Sequence, residues 1–184
     1  METAARIAKQ QAMQKTGLPK EQIGCFFITP CPAKVTDIRM PIGIEKSEVD
    51  GAIAISEVFP LLSHRMDKLE TVEPIGQSGL IGVSWAGSGG ESAALLNEKY
   101  LAADGIENVI RVLEELEDER IRELDFVELN ACNGGCVGGV LTVENPYVAE
   151  VKLKRLRKYM PVARSHIEGN AEELVKWTKE VQYE

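Results

Sequence analysis

The sequence predicts an α/β protein in which a small parallel sheet is flanked by helices. Short apolar runs of strand length alternate with segments of helical periodicity. Two of these runs end in loops rich in proline or glycine that carry cysteines. Hydrophobic residues make up 44% of the 184 residues and charged residues 27%, which is sufficient for one buried core.

The first predicted elements are a helix and a buried strand. Residues 2–16 have helical spacing of apolar side chains and end at Gly17. Residues 23–28 are a continuous apolar run, typical of a central parallel strand that is buried on both faces. The strand should end before Pro30 and Pro32, because proline cannot continue the ladder.

The middle of the chain predicts a second strand, a helix and a loop. Residues 51–55 form a short apolar strand, and Ser56 is the candidate N-cap of a helix that extends to Met66. Residues 76–90 are rich in glycine and predict a loop, with a short strand over residues 80–83.

The remaining pattern predicts four helices and one strand. The strand covers residues 124–129 and leads into Cys132, and the helices cover residues 91–102, 106–120, 148–160 and 171–181. We expect one lobe over residues 1–160 and a C-terminal helical appendage over residues 161–184.

The charge pattern limits the classes of partner. The net charge of −8 disfavours nucleic acid, and we interpret the basic run at residues 152–158 as the solvated face of a helix. No run of 18 apolar residues and no signal sequence are present, so we expect a cytoplasmic protein that does not span a membrane. Thiols stay reduced in that compartment, which favours metal or redox chemistry over disulfides for the four cysteines.

Three cysteines are the candidate functional residues. Cys132 and Cys136 lie four positions apart on a glycine-rich turn, where glycine lets the backbone and its amides approach a cluster closely. Cys31 also follows a strand. Because the carboxyl ends of parallel strands in one sheet lie at one edge, we expect Cys31 to converge with the other two.

Spacing alone leaves three interpretations open. An iron–sulfur cluster, a zinc ion and simple burial of small apolar thiols are all compatible with this pattern. Cys25 lies inside the first predicted strand, and we interpret it as a thiol of the core.

Two longer motifs resemble those of iron-only hydrogenases. Residues 30–37, Pro-Cys-Pro-Ala-Lys-Val-Thr-Asp, resemble the second signature of that family, Pro-Cys-x-x-Lys-x-x-Glu. Residues 128–139, Glu-Leu-Asn-Ala-Cys-Asn-Gly-Gly-Cys-Val-Gly-Gly, resemble the third, Glu-x-Met-Ala-Cys-x-x-Gly-Cys-x-x-Gly. Residues 87–94 resemble the family's glycine turn into a helix. The fold implied is one lobe of the iron-only hydrogenase catalytic domain.

The resemblance implies a cofactor and its ligands. Cys31, Cys132 and Cys136 would bind a 4Fe-4S cubane, with Cys136 bridging to a diiron centre (the H-cluster) in the intact protein. Gly89 and Gly90 would belong to the cofactor-binding residues.

The resemblance also implies two catalytic residues for proton reduction to hydrogen. Lys34 would lie near a diatomic ligand of the diiron centre. Asp37 would replace a glutamate of the proton path, a role that suits a carboxylate whose pKa is raised by burial. Without the resemblance, both side chains are interpreted as a surface pair in a loop.

The chain departs from the family at several points. The first signature, Thr-Ser-Cys-Cys-Pro, is absent, and Asn130 replaces a methionine. Residues 138–146, Gly-Gly-Val-Leu-Thr-Val-Glu-Asn-Pro, resemble hydrogenase-like proteins thought to sense redox state or hydrogen.

These departures favour a cluster-binding part of a redox or hydrogen sensor, inactive in isolation and holding three of four ligands. Its partners would be the missing N-terminal part of the parent chain and a redox or signalling protein. A functional hydrogenase domain and a zinc-binding or interaction domain are the alternatives.

Overall fold

A computed structural model describes residues 1–71 and 79–160 of the chain. It shows a mixed α/β protein with small parallel sheets flanked by helices, which confirms the predicted fold class. The chain divides into two compact units. The first contains Met1–Asp67 among its described residues, and the second contains the described residues of Lys68–His166.

The first unit is built around a two-stranded parallel sheet. Its elements are α1 (Glu2–Thr16), a 3₁₀ turn (Lys20–Gln22), β1 (Phe26–Thr29), α2 (Pro32–Arg39), β2 (Gly51–Ala54) and α3 (Ile55–Met66). Helix α1 ends as predicted at Gly17, whose φ of 71° is in the left-handed region that glycine adopts at little cost. The two strands are in parallel register from Phe26 opposite Gly51 to Thr29 opposite Ala54.

Polar contacts fasten helix α1 to the rest of this unit. The Glu2 carboxylate accepts a hydrogen bond from the Ser47 hydroxyl at 2.6 Å. The ammonium of Lys9, a buried residue, lies 2.8 Å from the Asp50 carboxylate. That hydrogen bond from Lys9, followed by one from the Cys25 amide, lowers the pKa of Asp50. The buried lysine is therefore paired rather than isolated.

The second unit contains a separate two-stranded parallel sheet. Its elements are α4 (Leu80–Ser84), α5 (Gly90–Ala94), β3 (Tyr100–Asp104), α6 (Ile106–Glu117), β4 (Phe126–Asn130), a 3₁₀ turn (Gly135–Gly138) and α7 (Pro146–Arg157). Strands β3 and β4 are in parallel register from Tyr100 opposite Phe126 to Asp104 opposite Asn130. On α6, Val109 is buried, whereas Ile110 and Leu113 remain about half exposed.

Several predicted elements differ from the structure. Residues 80–83 lie in helix α4 rather than a strand. The helix predicted over residues 91–102 ends at Ala94, and β3 follows, because pairing with β4 overrides the helical propensity of the alanines. Helix α2 was not predicted. Ser56 lies inside α3, and the amide of Ala54 instead donates to the Glu57 carboxylate.

The burial of β1 also differs from the prediction. Phe26 and Ile28 are 63% and 52% exposed, whereas Thr29 is fully buried. Helices α2 and α3 pack against both strands, and the alternation of exposure indicates that they cover one face of the sheet. Cys25 is half-buried just before β1, so its interpretation as a core thiol is wrong.

The predicted appendage over residues 161–184, with its helix over residues 171–181, lies outside the described residues. Its boundary therefore stays a prediction. None of the helices in the described ranges is long and apolar enough to cross a membrane.

Candidate functional site

The two closely spaced cysteines lie on a tight turn directly after β4. We call residues 132–139 the cysteine turn. Gly134 and Gly135 have φ values of 80° and 82°, which a side chain would make costly. The Gly135 amide donates to the Cys132 carbonyl at 3.1 Å, and the 3₁₀ turn that comes next carries Cys136. Both thiols are half-buried and neither forms a disulfide.

A second backbone segment packs directly against this turn. We call residues 86–92 the glycine segment. The Ser88 amide donates to the Gly134 carbonyl at 3.1 Å, and the Val137 amide donates to the Ala86 carbonyl at 2.9 Å. A Cβ atom added at Gly135 would lie 2.6 Å from the Ser88 nitrogen. The two backbones are therefore in contact, and only glycine fits between them.

The buried carboxylate of Glu128 holds the other side of the glycine segment. Glu128 is 5% exposed. It accepts hydrogen bonds from the Gly89 amide, the Ser92 amide, the Ser92 hydroxyl and the Asn130 side-chain amide, all at 2.8–2.9 Å. Burial raises the pKa of Glu128, but these four hydrogen bonds outweigh it, and the pKa lies below its ordinary value.

A second carboxylate bonds the cysteine turn itself. Asp104 is the last residue of β3, and its Oδ2 accepts a hydrogen bond from the Gly134 amide at 2.6 Å. The neighbouring Gly105 amide donates to the Asn130 carbonyl at 2.9 Å. The turn is thus fixed by a carboxylate as well as by backbone contacts.

Neither Glu128 nor Asp104 was predicted from the sequence as a site residue. The available signal for Glu128 was an acidic residue within an apolar strand. No comparable signal existed for Asp104, which falls between the helices predicted over residues 91–102 and 106–120.

Several amides of this region already have acceptors in the protein. Those of Gly134, Val137 and Gly139 donate to protein oxygens. The Gly89 amide donates to Glu128, and the Gly90 amide to the Gly87 carbonyl. Their contact with a cofactor stays a prediction.

Gly90 has a packing role that is visible in the structure. A Cβ atom added there would lie 1.9 Å from the Ser84 carbonyl oxygen. Glycine is therefore required at this position for helix α5 to pack against α4.

The other predicted site residues lie in the first unit. Cys31 follows β1 and precedes α2, and its amide donates to the Thr29 hydroxyl at 3.1 Å. Lys34 is half-buried in the first turn of α2, and Asp37 is exposed one turn later. The structure records no ion pair between these two described side chains. Their catalytic roles stay predictions.

The expected convergence of the three cysteines relied on a shared sheet edge. Strand β1 pairs with β2, and β4 pairs with β3, in two separate sheets. That basis for bringing Cys31 to Cys132 and Cys136 is therefore wrong. Within either unit, the described residues contain no group of three or more His, Cys, Asp or Glu side chains that could hold a metal ion.

A short connection links the cysteine turn to helix α7. The Thr142 hydroxyl donates to the Gly139 carbonyl at 2.8 Å. Asn145 caps the helix by accepting hydrogen bonds from the Tyr147 and Val148 amides. A Cβ atom added at Gly138 would lie 3.4 Å from Pro146 Cβ, so the first residue of α7 packs on the turn.

A small cleft lies between the glycine segment and α7. Its volume is about 110 Å³, and helix α7 contributes Glu150, Leu153, Lys154 and Arg157 to its lining. Lys154 forms an ion pair with Glu150 at 2.6 Å, which leaves Arg157 as the other basic group at the cleft.

Comparison with known proteins relates the second unit to one family. Residues 91–140 match the family described as iron only hydrogenase large subunit, C-terminal domain. This stretch contains Asp104, Glu128, Cys132 and Cys136, whereas Cys31 lies outside it. Comparison with the curated proteins found no match.

A solved structure has a similar fold. It is a structure of HydA(deltaEFG), reported on stepwise FeFe-hydrogenase H-cluster assembly, and it is 17% identical to this chain with a TM-score of 0.60. The alignment covers 95% of this chain, which spans 63% of the solved chain. At this identity the likeness concerns the fold.

Proposed function

We propose that this chain binds an iron–sulfur cluster, because residues 91–140 match an iron-only hydrogenase family and the fold is similar to that of a FeFe-hydrogenase structure. Cys132, Cys136 and Cys31 are the proposed ligands, and a 4Fe-4S cubane is the proposed cluster. In the intact protein the cluster would serve redox or hydrogen sensing.

The observation that carries this proposal is the fixed cysteine turn. Cys132 and Cys136 lie on one turn whose backbone is held by the glycine segment and by Asp104. Both thiols are half-buried, a state in which thiolates can reach a metal while the surrounding protein limits water. Two thiolates from one glycine-rich turn are donors of the kind that iron–sulfur clusters use.

The proposed ligands are cysteine thiolates, as a cubane requires, but they number three rather than four. A 4Fe-4S cluster is held by four cysteines, and this chain offers Cys31 in addition to the pair on the turn. We propose that the fourth thiolate comes from a polypeptide segment that carries the Thr-Ser-Cys-Cys-Pro signature. Such a segment, joined to this chain or supplied separately, would be its principal partner.

When bound, a cubane supplies one-electron redox chemistry. The residues of this chain would hold it and limit access of water. Asp37 is exposed on α2, and we propose it as the outer group of a proton path with Lys34 one turn away. In the intact protein, Cys136 would also help to hold a diiron centre.

The connection from the cysteine turn to helix α7 favours sensing. Thr142, Asn145 and Pro146 join the turn to α7 through a side-chain hydrogen bond, a helix cap and a packing contact. A change at Cys136 would therefore be transmitted to a helix with a basic surface. Such a helix could contact an acidic signalling partner.

Cluster reconstitution tests the ligand assignment. The chain is reconstituted anaerobically with iron and sulfide, and iron, acid-labile sulfide and zinc are measured for Cys31→Ser, Cys132→Ser and Cys136→Ser. Each should lose most of the bound iron, because a cluster with fewer thiolates is easily hydrolysed. Cys25→Ser is the matched control and should retain the wild-type content.

Two outcomes would contradict the proposal. Zinc bound in place of iron and sulfide would indicate a structural metal site. Equal, stoichiometric cubane binding by this chain and by a version extended with the Thr-Ser-Cys-Cys-Pro signature would refute the missing ligand.

Hydrogen evolution separates sensing from catalysis. The extended chain is matured with a diiron cofactor and assayed with a reduced mediator. We expect little turnover, and robust hydrogen production would replace the sensing proposal with a hydrogenase.

A further inference from the structure

Glu128 is buried and charged, and it is not one of the proposed cluster ligands. It lies four positions before Cys132 in sequence, and all four of its hydrogen bonds go to the protein. An ionised carboxylate at 5% exposure is costly unless each oxygen is well bonded. Both oxygens here accept two hydrogen bonds, so the cost is offset and the group is fixed in one orientation.

The glycine segment lies between this carboxylate and the cysteine turn. On one side, Gly89 and Ser92 donate to Glu128. On the other side, the Ser88 amide donates to the Gly134 carbonyl, and the segment leaves no room for a Cβ atom at Gly135. A displacement of the glycine segment would therefore move the backbone between Cys132 and Cys136.

Asn130 supplies a hydrogen bond to Glu128 that the methionine of the hydrogenase signature could not supply. Its side-chain amide donates to Glu128 at 2.9 Å. Methionine, which the hydrogenase signature has at this position, has no hydrogen to donate. This chain therefore adds a bond that orients the carboxylate.

We propose that Glu128 is a positioning residue for the thiols of Cys132 and Cys136, acting through the glycine segment, and that Asn130 fixes its orientation. The inference rests on the proposed function in that these thiols are the cluster ligands. The two sulfur atoms are thus preorganised to bind one centre before that centre arrives.

A trivalent arsenical measures this arrangement without iron. Phenylarsine oxide condenses with two thiols, forming two As–S bonds and releasing one water without any oxidation. The full chain with Cys25→Ser and Cys31→Ser leaves only Cys132 and Cys136 to react. Affinity for the arsenical reports whether the pair is correctly spaced, whereas the rate of iodoacetamide alkylation reports the exposure of each thiol.

Glu128→Gln is the informative substitution. All four groups bonded to Glu128 are hydrogen-bond donors. The NH₂ group of glutamine, in place of either carboxylate oxygen, cannot accept hydrogen bonds from them. We expect arsenical affinity to fall about tenfold to a hundredfold, the usual effect of removing a group that orients metal ligands. Asn130→Met should cost about threefold to tenfold, as expected for one hydrogen bond. Glu115→Gln, an exposed site on α6, is the matched control and should have no effect.

Alkylation rates separate positioning from loosened structure. Loss of positioning leaves each thiol's alkylation rate near that of wild type, whereas general unfolding accelerates both. If Glu128→Gln does not fold by circular dichroism, Ser92→Ala removes one bond to the carboxylate and should show a smaller loss of the same kind.

Unchanged arsenical affinity in a folded Glu128→Gln variant would overturn the inference, as would a loss accompanied by equally accelerated alkylation. A chain that shows the expected arsenical losses but binds no cluster would refute the proposed function and leave the positioning role intact.

Discussion

The surroundings of Cys31 and of the cysteine turn differ in how firmly the backbone is held. Near Cys31, the recorded contact is one hydrogen bond from its amide to the Thr29 hydroxyl, at the start of a helix with an exposed surface. The cysteine turn is hydrogen-bonded to the glycine segment and to Asp104, and it packs against the first residue of helix α7. Two of the proposed ligands are thus preorganised, whereas the third belongs to a simple strand-to-helix loop. Substitutions at four positions test this contrast.

The largest effect is expected for Gly135→Ala. The added methyl group would combine a φ of 82° with a 2.6 Å approach to the Ser88 nitrogen. We expect the free energy of unfolding of the second unit to fall by about 2–5 kcal/mol, from left-handed strain plus overpacking. Chemical denaturation followed by circular dichroism measures it.

Gly17→Ala is the matched control, since it has a φ of 71° and nothing within 4 Å of the added atom. It should cost about 1–2 kcal/mol, the contribution of strain alone. Equal losses for the two variants would show that the glycine segment can shift away from the turn.

Glu128→Gln should lower the free energy of unfolding by about 2–3 kcal/mol at neutral pH, because bonds to a charged acceptor are lost. The pKa of Glu128 is lowered in the folded state, so its contribution is complete above its ordinary value of 4.5. The contribution is lost as the pH falls through the lower folded pKa.

Denaturation curves for wild type and Glu128→Gln at pH 7, 5 and 3 check this. The difference in the free energy of unfolding between the two proteins should be constant from pH 7 to 5 and should narrow at pH 3. A difference that widens on acidification would mean that folding raises the pKa of Glu128 rather than lowering it.

Asp50→Asn tests the ion pair that holds α1 in the first unit. Lys9 is buried and would lose its partner, but Asp50 is itself about one-third exposed, so screening reduces the loss. We expect a cost of about 1–2 kcal/mol in thermal denaturation at low salt. The metal content of the reconstituted Asp50→Asn variant should change little. A large loss of bound metal would show that the position of α1 affects the proposed ligands.

The smallest effect is expected for Asp37→Asn. The side chain is exposed on α2, so the free energy of unfolding should change by less than about 0.5 kcal/mol. Thermal denaturation of the two proteins should coincide. A clear destabilisation would assign Asp37 a structural role in place of the proposed proton exchange.

The elements that could be predicted are those determined by residues close together in the sequence. Helix α1 and its end at Gly17 followed from spacing and a left-handed cap. Strand β4 followed from a short apolar run. The two cysteines on its turn could be identified from spacing and from the hydrogenase-like signature around them.

Non-local contacts determine what could not be predicted. Strand β3 contains Ala102 and Ala103, which favour helix in isolation, and becomes a strand only by pairing with β4. Two partners of Glu128, Gly89 and Ser92, lie 39 and 36 positions away, and Gly134 lies 30 positions from Asp104. No spacing rule indicates such pairs.

Four amides of the cysteine turn, those of Gly134, Gly135, Val137 and Gly139, already donate to protein oxygens, and this has an electrochemical consequence. An N–H group that already donates to a protein oxygen has little capacity left to stabilise extra electron density on a neighbouring sulfur. The reduction potential of a centre held by Cys132 and Cys136 would then depend less on these four amides than on how far water reaches the two half-buried sulfurs. A partner that covers or uncovers this turn would change the potential without altering a single ligand.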